Sequence, residues 1–76
     1  MNILVVDDEK EITDLIQIYL ENENFIVYKY YSSQNVLRDI DDLKIDLAIL
    51  DVMMPDMDGF SLCNTLRRSI SFLLFL

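Results

Sequence analysis

Two short apolar blocks that break off in carboxylates constrain this 76-residue chain more than any other feature. Ile3-Leu4-Val5-Val6 runs into Asp7, Asp8 and Glu9, and Leu47-Ala48-Ile49-Leu50 runs into Asp51. Neither block alternates with polar residues, which predicts parallel strands covered on both faces. The segments between and after them follow helical or strand patterns. Ile12, Leu15, Ile16, Tyr19 and Leu20 recur at i, i+3, i+4, i+7 and i+8, predicting a helix with that stripe inward. Its polar face then carries Thr13, Asp14, Gln17 and Glu21, and Asn22-Glu23-Asn24 closes it.

Phe25 to Tyr31 is rich in aromatic and β-branched residues and reads as a second strand. Ser32-Ser33 is a helix N-cap signal, followed by a short stripe of Val36, Leu37 and Ile40. Asp41-Asp42 then sits where the helix dipole disfavours negative charge, which predicts a stop. After Asp51 a turn-rich loop, Met53 to Gly59, leads into a helix with Leu62, Cys63 and Leu66 inward and Arg67-Arg68 in its last turn. Ile70 to Leu76 reads as one more buried strand. Repeating βαβ units require right-handed crossovers and a parallel sheet with helices on both faces. The expected fold is α/β.

Composition narrows the function. One glycine and one proline exclude linker-rich and collagen-like classes. A single cysteine excludes a disulfide framework, and with no histidine a Cys/His zinc site is unavailable. The net charge of -8 repels phosphate backbones and argues against direct nucleic-acid binding. The N-terminus lacks the basic region of a secretory signal. The apolar run Phe72 to Leu76 is far short of the roughly 20 residues a membrane span needs. A cytoplasmic location is expected, without membrane attachment.

In an open parallel sheet, sites form beyond the carboxyl ends of the strands, where strand order reverses. If the two acid-terminated strands are neighbours, Asp7, Asp8 and Asp51 converge. Unit charges about 4 Å apart repel by roughly 4 kcal/mol at an effective dielectric near 20. Such a cluster raises one carboxyl pKa or holds a cation. With oxygen ligands alone on offer, the expected ion is Mg²⁺, with Mn²⁺ as its substitute.

Plainer readings stand beside these. Asp8 fits the N-cap of the first helix, with Glu11 reaching back in a capping box. Asp51 alone fits a turn. Asp56-Met57-Asp58-Gly59 suggests a calcium loop, but the first and twelfth ligand positions fall on Met54 and Thr65. A dehalogenase-type phosphatase needs an aspartate two residues after its nucleophile, where Met53 stands. Cys63 and the methionines read as packing residues, and Tyr28, Tyr30 and Tyr31 as core and sheet-edge packing.

Leu4-Val5-Val6-Asp7-Asp8-Glu9, together with Asp46-Leu47-Ala48-Ile49-Leu50-Asp51-Val52-Met53-Met54-Pro55-Asp56-Met57-Asp58-Gly59, resembles the receiver domain of two-component response regulators. The acidic pair, the aspartate after a buried strand, proline four residues on and glycine eight on carry the match. Asn22 to Ser32 is similar, more narrowly, to vancomycin-resistance regulators of the OmpR-type class. The resemblance implies a flavodoxin-like fold and a signalling module that is not an enzyme. It implies Asp51 as phosphoacceptor from a sensor histidine kinase. It also implies that Mg²⁺ is held by Asp8 directly, Asp7 through water, Asp51 and the Met53 backbone carbonyl.

Against the five-stranded sheet of that family, residues 1–76 read as a partial receiver. Residues 1–68 are family-like, 69–76 form a divergent apolar tail, and no effector domain is seen. The lysine that the family places on its fifth strand is absent, so switching is expected to be impaired. With less cover on one face, the strand blocks are expected to expose apolar surface, and the tail to form a hydrophobic edge prone to self-association. The alternative is an inactive truncated or frameshifted fragment.

Overall fold

The computed structural model describes residues 1–51, 59–68, 70 and 72–75. Along the chain run β1 (Asn2–Val6), α1 (Lys10–Asn22), β2 (Ile26–Tyr30), α2 (Ser33–Asp39), a 3₁₀ turn (Ile40–Asp42), β3 (Leu47–Leu50), α3 (Gly59–Arg67) and β4 (Phe72–Phe75). The strands form one parallel sheet in the order β2-β1-β3-β4. The chain moves from β1 to β2 on one side, then crosses back to β3 on the other. The strand order therefore reverses between β1 and β3, as the two carboxylate-terminated blocks require.

Alternation along the strands sorts the side chains into two layers. Leu4 and Val6 of β1, with Ala48 and Leu50 of β3, pack against Val36 of α2, Leu62 and Leu66 of α3, and Ile40, Ile45 and Ile70. Tyr28, Tyr30, Cys63 and Leu73 close the margins of this core. Ile3 and Val5 point the other way and are equally buried. α1 lies on their side, since Lys29, in register with Val5, reaches Asp14 of α1 at 2.8 Å. Helices therefore cover both faces, and the α/β architecture read from the pattern is realised.

Local chemistry sets the helix ends. Ser32 is extended, and its Oγ accepts the Asn35 N–H at 3.3 Å, capping α2. At the end of α1, Phe25 N–H donates to the Leu20 carbonyl and Asn24 N–H to the Glu21 carbonyl. That pair of bonds is a Schellman motif, with Asn24 at φ 68° as its left-handed residue.

Three expectations are corrected. The inward row of α1 is Thr13, Ile16, Gln17 and Leu20, with Thr13 fully buried, whereas Ile12, Leu15 and Tyr19 face outward. The two rows overlap at Ile16 and Leu20, so hydropathy alone chose the greasier one. Thr13 is tolerated inside because its hydroxyl donates to the Lys10 carbonyl at 2.9 Å. The block Ile3–Val6 exposes no apolar surface: Leu4 and Val6 are covered by α2 and α3, and Ile3 and Val5 are buried on the α1 side. The last strand forms, but not as a buried one. Phe72 and Leu74 are 65% and 54% exposed, because β4 pairs with β3 alone.

Candidate functional site

The register of β1 against β3 decides what meets at the carboxyl end of the sheet. That register is pinned at both ends. Asp46 N–H donates to the Asn2 carbonyl at 2.9 Å, and the Asp46 carboxylate accepts the Asn2 backbone N–H at 2.7 Å. At the opposite end, Asp51 N–H donates to the Val6 carbonyl at 2.9 Å and Asp7 N–H to the Tyr30 carbonyl at 3.1 Å. Asp7 and Asp51 are thus the first residues past two adjacent strands, held by bonds that continue the ladders.

Asp7, Asp8 and Asp51 each offer a carboxylate oxygen, and these oxygens lie within 4.8 Å of one another. Asp7 is buried, Asp51 half-buried and Asp8 exposed, so the cluster grades from the sheet to the surface. Burial pushes the Asp7 carboxyl above its ordinary value. The Glu9 N–H, donating to Oδ1 at 2.9 Å, opposes that rise, and the neighbouring Asp51 charge adds to it. A buried acid held beside another acid is the arrangement that a cation would relieve.

The plainer reading of Asp8 does not hold. α1 starts at Lys10 with Glu9 as its N-cap residue, and the Glu9 side chain makes no capping bond. Asp8 is left free of a capping duty. The Met53 carbonyl, the fourth expected ligand, lies outside the described residues, as does Pro55. The donor set of Asp7, Asp8 and Asp51 is oxygen only, and its 4.8 Å spread is comparable to the span of about 4.2 Å across a Mg²⁺ octahedron. The three residues fit a hard divalent cation.

Sequence reasoning missed the supports around this cluster. The Glu9 N–H that holds Asp7 is a backbone group and carries no residue signature. The Lys29–Asp14 pair, at 2.8 Å, fastens α1 to β2, and each partner favours the other's charged form. The Tyr30 hydroxyl donates to Asp39 at 2.9 Å, and Asp39 also accepts from Arg38, tying the end of β2 to α2. A period-2 reading of Tyr30 saw only an aromatic packing residue.

With this geometry in place, comparison with known proteins gives the class. A sequence profile described as "Response regulator receiver domain" matches residues 3–73, and the chain belongs to that family. Among curated relatives, the regulatory protein VanR of Enterococcus faecium is 52% identical over 65 residues, covering 86% of this chain and 28% of that protein. The chain therefore spans less than a third of that relative's length. Among solved structures, the BeF3-activated N-terminal receiver domain of Klebsiella pneumoniae RstA superposes with a TM-score of 0.81 at 32% identity. It covers 99% of this chain and 67% of that one. The Thermotoga maritima response regulator TrrA, solved in complex with Mg(2+)-BeF, gives a TM-score of 0.83 at 29% identity, covering 96% and 66%.

Proposed function

We propose that this chain is a phosphoacceptor module of two-component signalling, in which Asp51 takes a phosphoryl group from a sensor histidine kinase. The observation that carries the reading is the convergence of Asp7, Asp8 and Asp51 at the strand-order reversal, inside a receiver-family sheet. In the transfer, an Asp51 carboxylate oxygen forms a P–O bond as the P–N bond to the kinase histidine breaks. The imidazole departs with the bonding pair and takes up a proton. Such a reaction asks the protein for positioning and charge neutralisation rather than covalent work. Asp51 is half-buried beside Asp7, and its backbone N–H is fixed on the Val6 carbonyl.

Asp7, Asp8, Asp51 and the Met53 carbonyl are the residues that would hold Mg²⁺. The ion would supply neutralisation of the acid cluster and of the phosphoryl oxygens. The Mg²⁺–beryllium fluoride complex of TrrA, a relative of the same fold, supports the assignment. The module is stoichiometric rather than an enzyme, acts in the cytoplasm, and makes no direct nucleic-acid contact through this chain. Among the described residues, no helix is long and apolar enough to cross a membrane.

The test is incubation with acetyl phosphate and Mg²⁺, read by intact mass. The wild-type chain is expected to gain one phosphoryl group and Asp51→Asn none. No adduct on the wild type, or an undiminished adduct on Asp51→Asn, overturns the reading in favour of an inactive fragment.

A further inference from the structure

Asp7 and Asp51 belong to one row of hydrogen-bonded peptide groups. The peptide unit that joins Val6 to Asp7 accepts the Asp51 N–H through its carbonyl at 2.9 Å. The same unit donates its own N–H to the Tyr30 carbonyl at 3.1 Å. Tyr30 therefore ends the row, one strand out from the carboxylates. Among the described residues β2 pairs with β1 alone, at the outer edge, as it does in the 2-1-3-4-5 order of flavodoxin-like sheets. With one neighbouring strand to steady it, the end of β2 depends on its side chains, and so does the peptide that carries Asp7.

Two consecutive side chains anchor that strand end, one on each face of the sheet. Lys29 reaches Asp14 of α1 at 2.8 Å, but Asp14 is open to water, and exposed ion pairs hold weakly. On the opposite face the Tyr30 ring packs against the core, and its hydroxyl donates to Asp39 Oδ2 at 2.9 Å. Asp39 is the last residue of α2, and Arg38 grips its carboxylate, Nε on Oδ1 at 2.9 Å and Nη2 on Oδ2 at 3.2 Å. Hydrogen bonds to an ionised acceptor are shorter and stronger than neutral ones. Packing alone asks only for the ring; the hydroxyl adds the tie to α2.

We propose that Tyr30 is a positioning residue for the cation. Its bond to Asp39 fixes the end of β2, and through the Tyr30 carbonyl and the Val6–Asp7 peptide it holds the buried Asp7 carboxylate in place beside Asp51. Mg²⁺ demands near-ideal octahedral geometry, so a loosened ligand binds it less well. The inference rests on the reading of Asp7, Asp8 and Asp51 as a cation site.

Mn²⁺ alone serves as the probe, titrated into the 76-residue chain and followed by the electron paramagnetic resonance of the free ion. Tyr30→Phe keeps the ring and is expected to weaken Mn²⁺ binding about tenfold, the loss usual when a group that orients a metal ligand is removed. Asn24→Ala, in the turn before β2 at the far end of the strand, is expected to lower the melting temperature and leave Mn²⁺ affinity unchanged. Asp39→Asn and Asp39→Ala remove the same charge, but only the first keeps an oxygen for the Tyr30 hydroxyl. The first should bind Mn²⁺ more tightly than the second, and the difference should vanish in the Tyr30→Phe background. Circular dichroism checks folding, and should Tyr30→Phe not fold, the Asp39 pair decides. Tyr30→Phe within about twofold of wild type, an equal loss in Asn24→Ala, or equal affinities in Asp39→Asn and Asp39→Ala overturn the inference and leave the cation site standing. If the wild-type chain binds no Mn²⁺, the cation reading itself falls, and the inference with it.

Discussion

Asp7 is the residue on which the electrostatics of this molecule turn. Its carboxyl is buried beside Asp51, and burial first, then that neighbour, lift it above 3.8 against the pull of the Glu9 N–H. A folded-state pKa that is raised contributes stability below the unfolded value and loses it as pH rises through the folded one. In metal-free buffer, Asp7 therefore weakens the fold across a window that begins near 3.8 and ends at its raised folded value. Asp14 and Asp39, both lowered by their basic partners, act in the opposite sense and lose their contribution as pH falls. Asp7→Asn keeps the oxygen that accepts the Glu9 N–H and removes the titration. At neutral pH in chelator it should melt several degrees higher, since about 1 kcal/mol corresponds to roughly 4–8 °C in a domain of this size. Mg²⁺ should raise the wild-type melting temperature and leave Asp7→Asn unmoved. A melting temperature lowered by Asp7→Asn in chelator would show that the charge stabilises the fold instead.

Among the elements, α1 is where sequence and structure part company. The existence, type and order of the strands and helices are legible because continuous apolar blocks and 3.6-residue spacing are strong signals. The orientation of α1 is not, because two overlapping rows satisfy the spacing and the sheet selects the one containing Thr13. Leu15→Gln should accordingly change stability by less than about 0.5 kcal/mol, as expected of an exposed site. Leu62→Ala, in the fully buried core, should cost about 2–5 kcal/mol. Chemical denaturation of the two variants gives the comparison. The Asn22-Glu23-Asn24 stop was legible as a polar cluster, and its physical form is a left-handed residue at Asn24. Replacing Asn24 with alanine should cost about 1–2 kcal/mol, the penalty of a side chain in that region, whereas glycine should cost nothing. Equal losses from both substitutions would mean that the asparagine side chain, not the backbone, holds the turn.

For the whole molecule, the candidate site was readable as three positions but not as a place. Each carboxylate announces itself by ending an apolar block, and only the pairing of β1 with β3 brings Asp7, Asp8 and Asp51 within 4.8 Å. The supports around them are backbone amides, the Lys29–Asp14 ion pair and the Tyr30–Asp39 hydrogen bond, which leave no local pattern. The exposed β4 margin was readable only in part, since an apolar run looks the same whether one strand or two flank it. The chain matches two-thirds of the RstA receiver structure, and the sheet it forms already contains the whole acidic cluster. On this account the cluster can hold its cation, and Asp51 can accept a phosphoryl group, within the 76 residues at hand.

Site mapping tests that claim most directly. The chain is treated with acetyl phosphate, with Mg²⁺ or with chelator, and then fragmented for tandem mass spectrometry. The account predicts a single phosphoryl group on the fragment containing Asp51, present with Mg²⁺ and lost with chelator. Modification on a fragment lacking Asp51, or an equal yield without the metal, would contradict it.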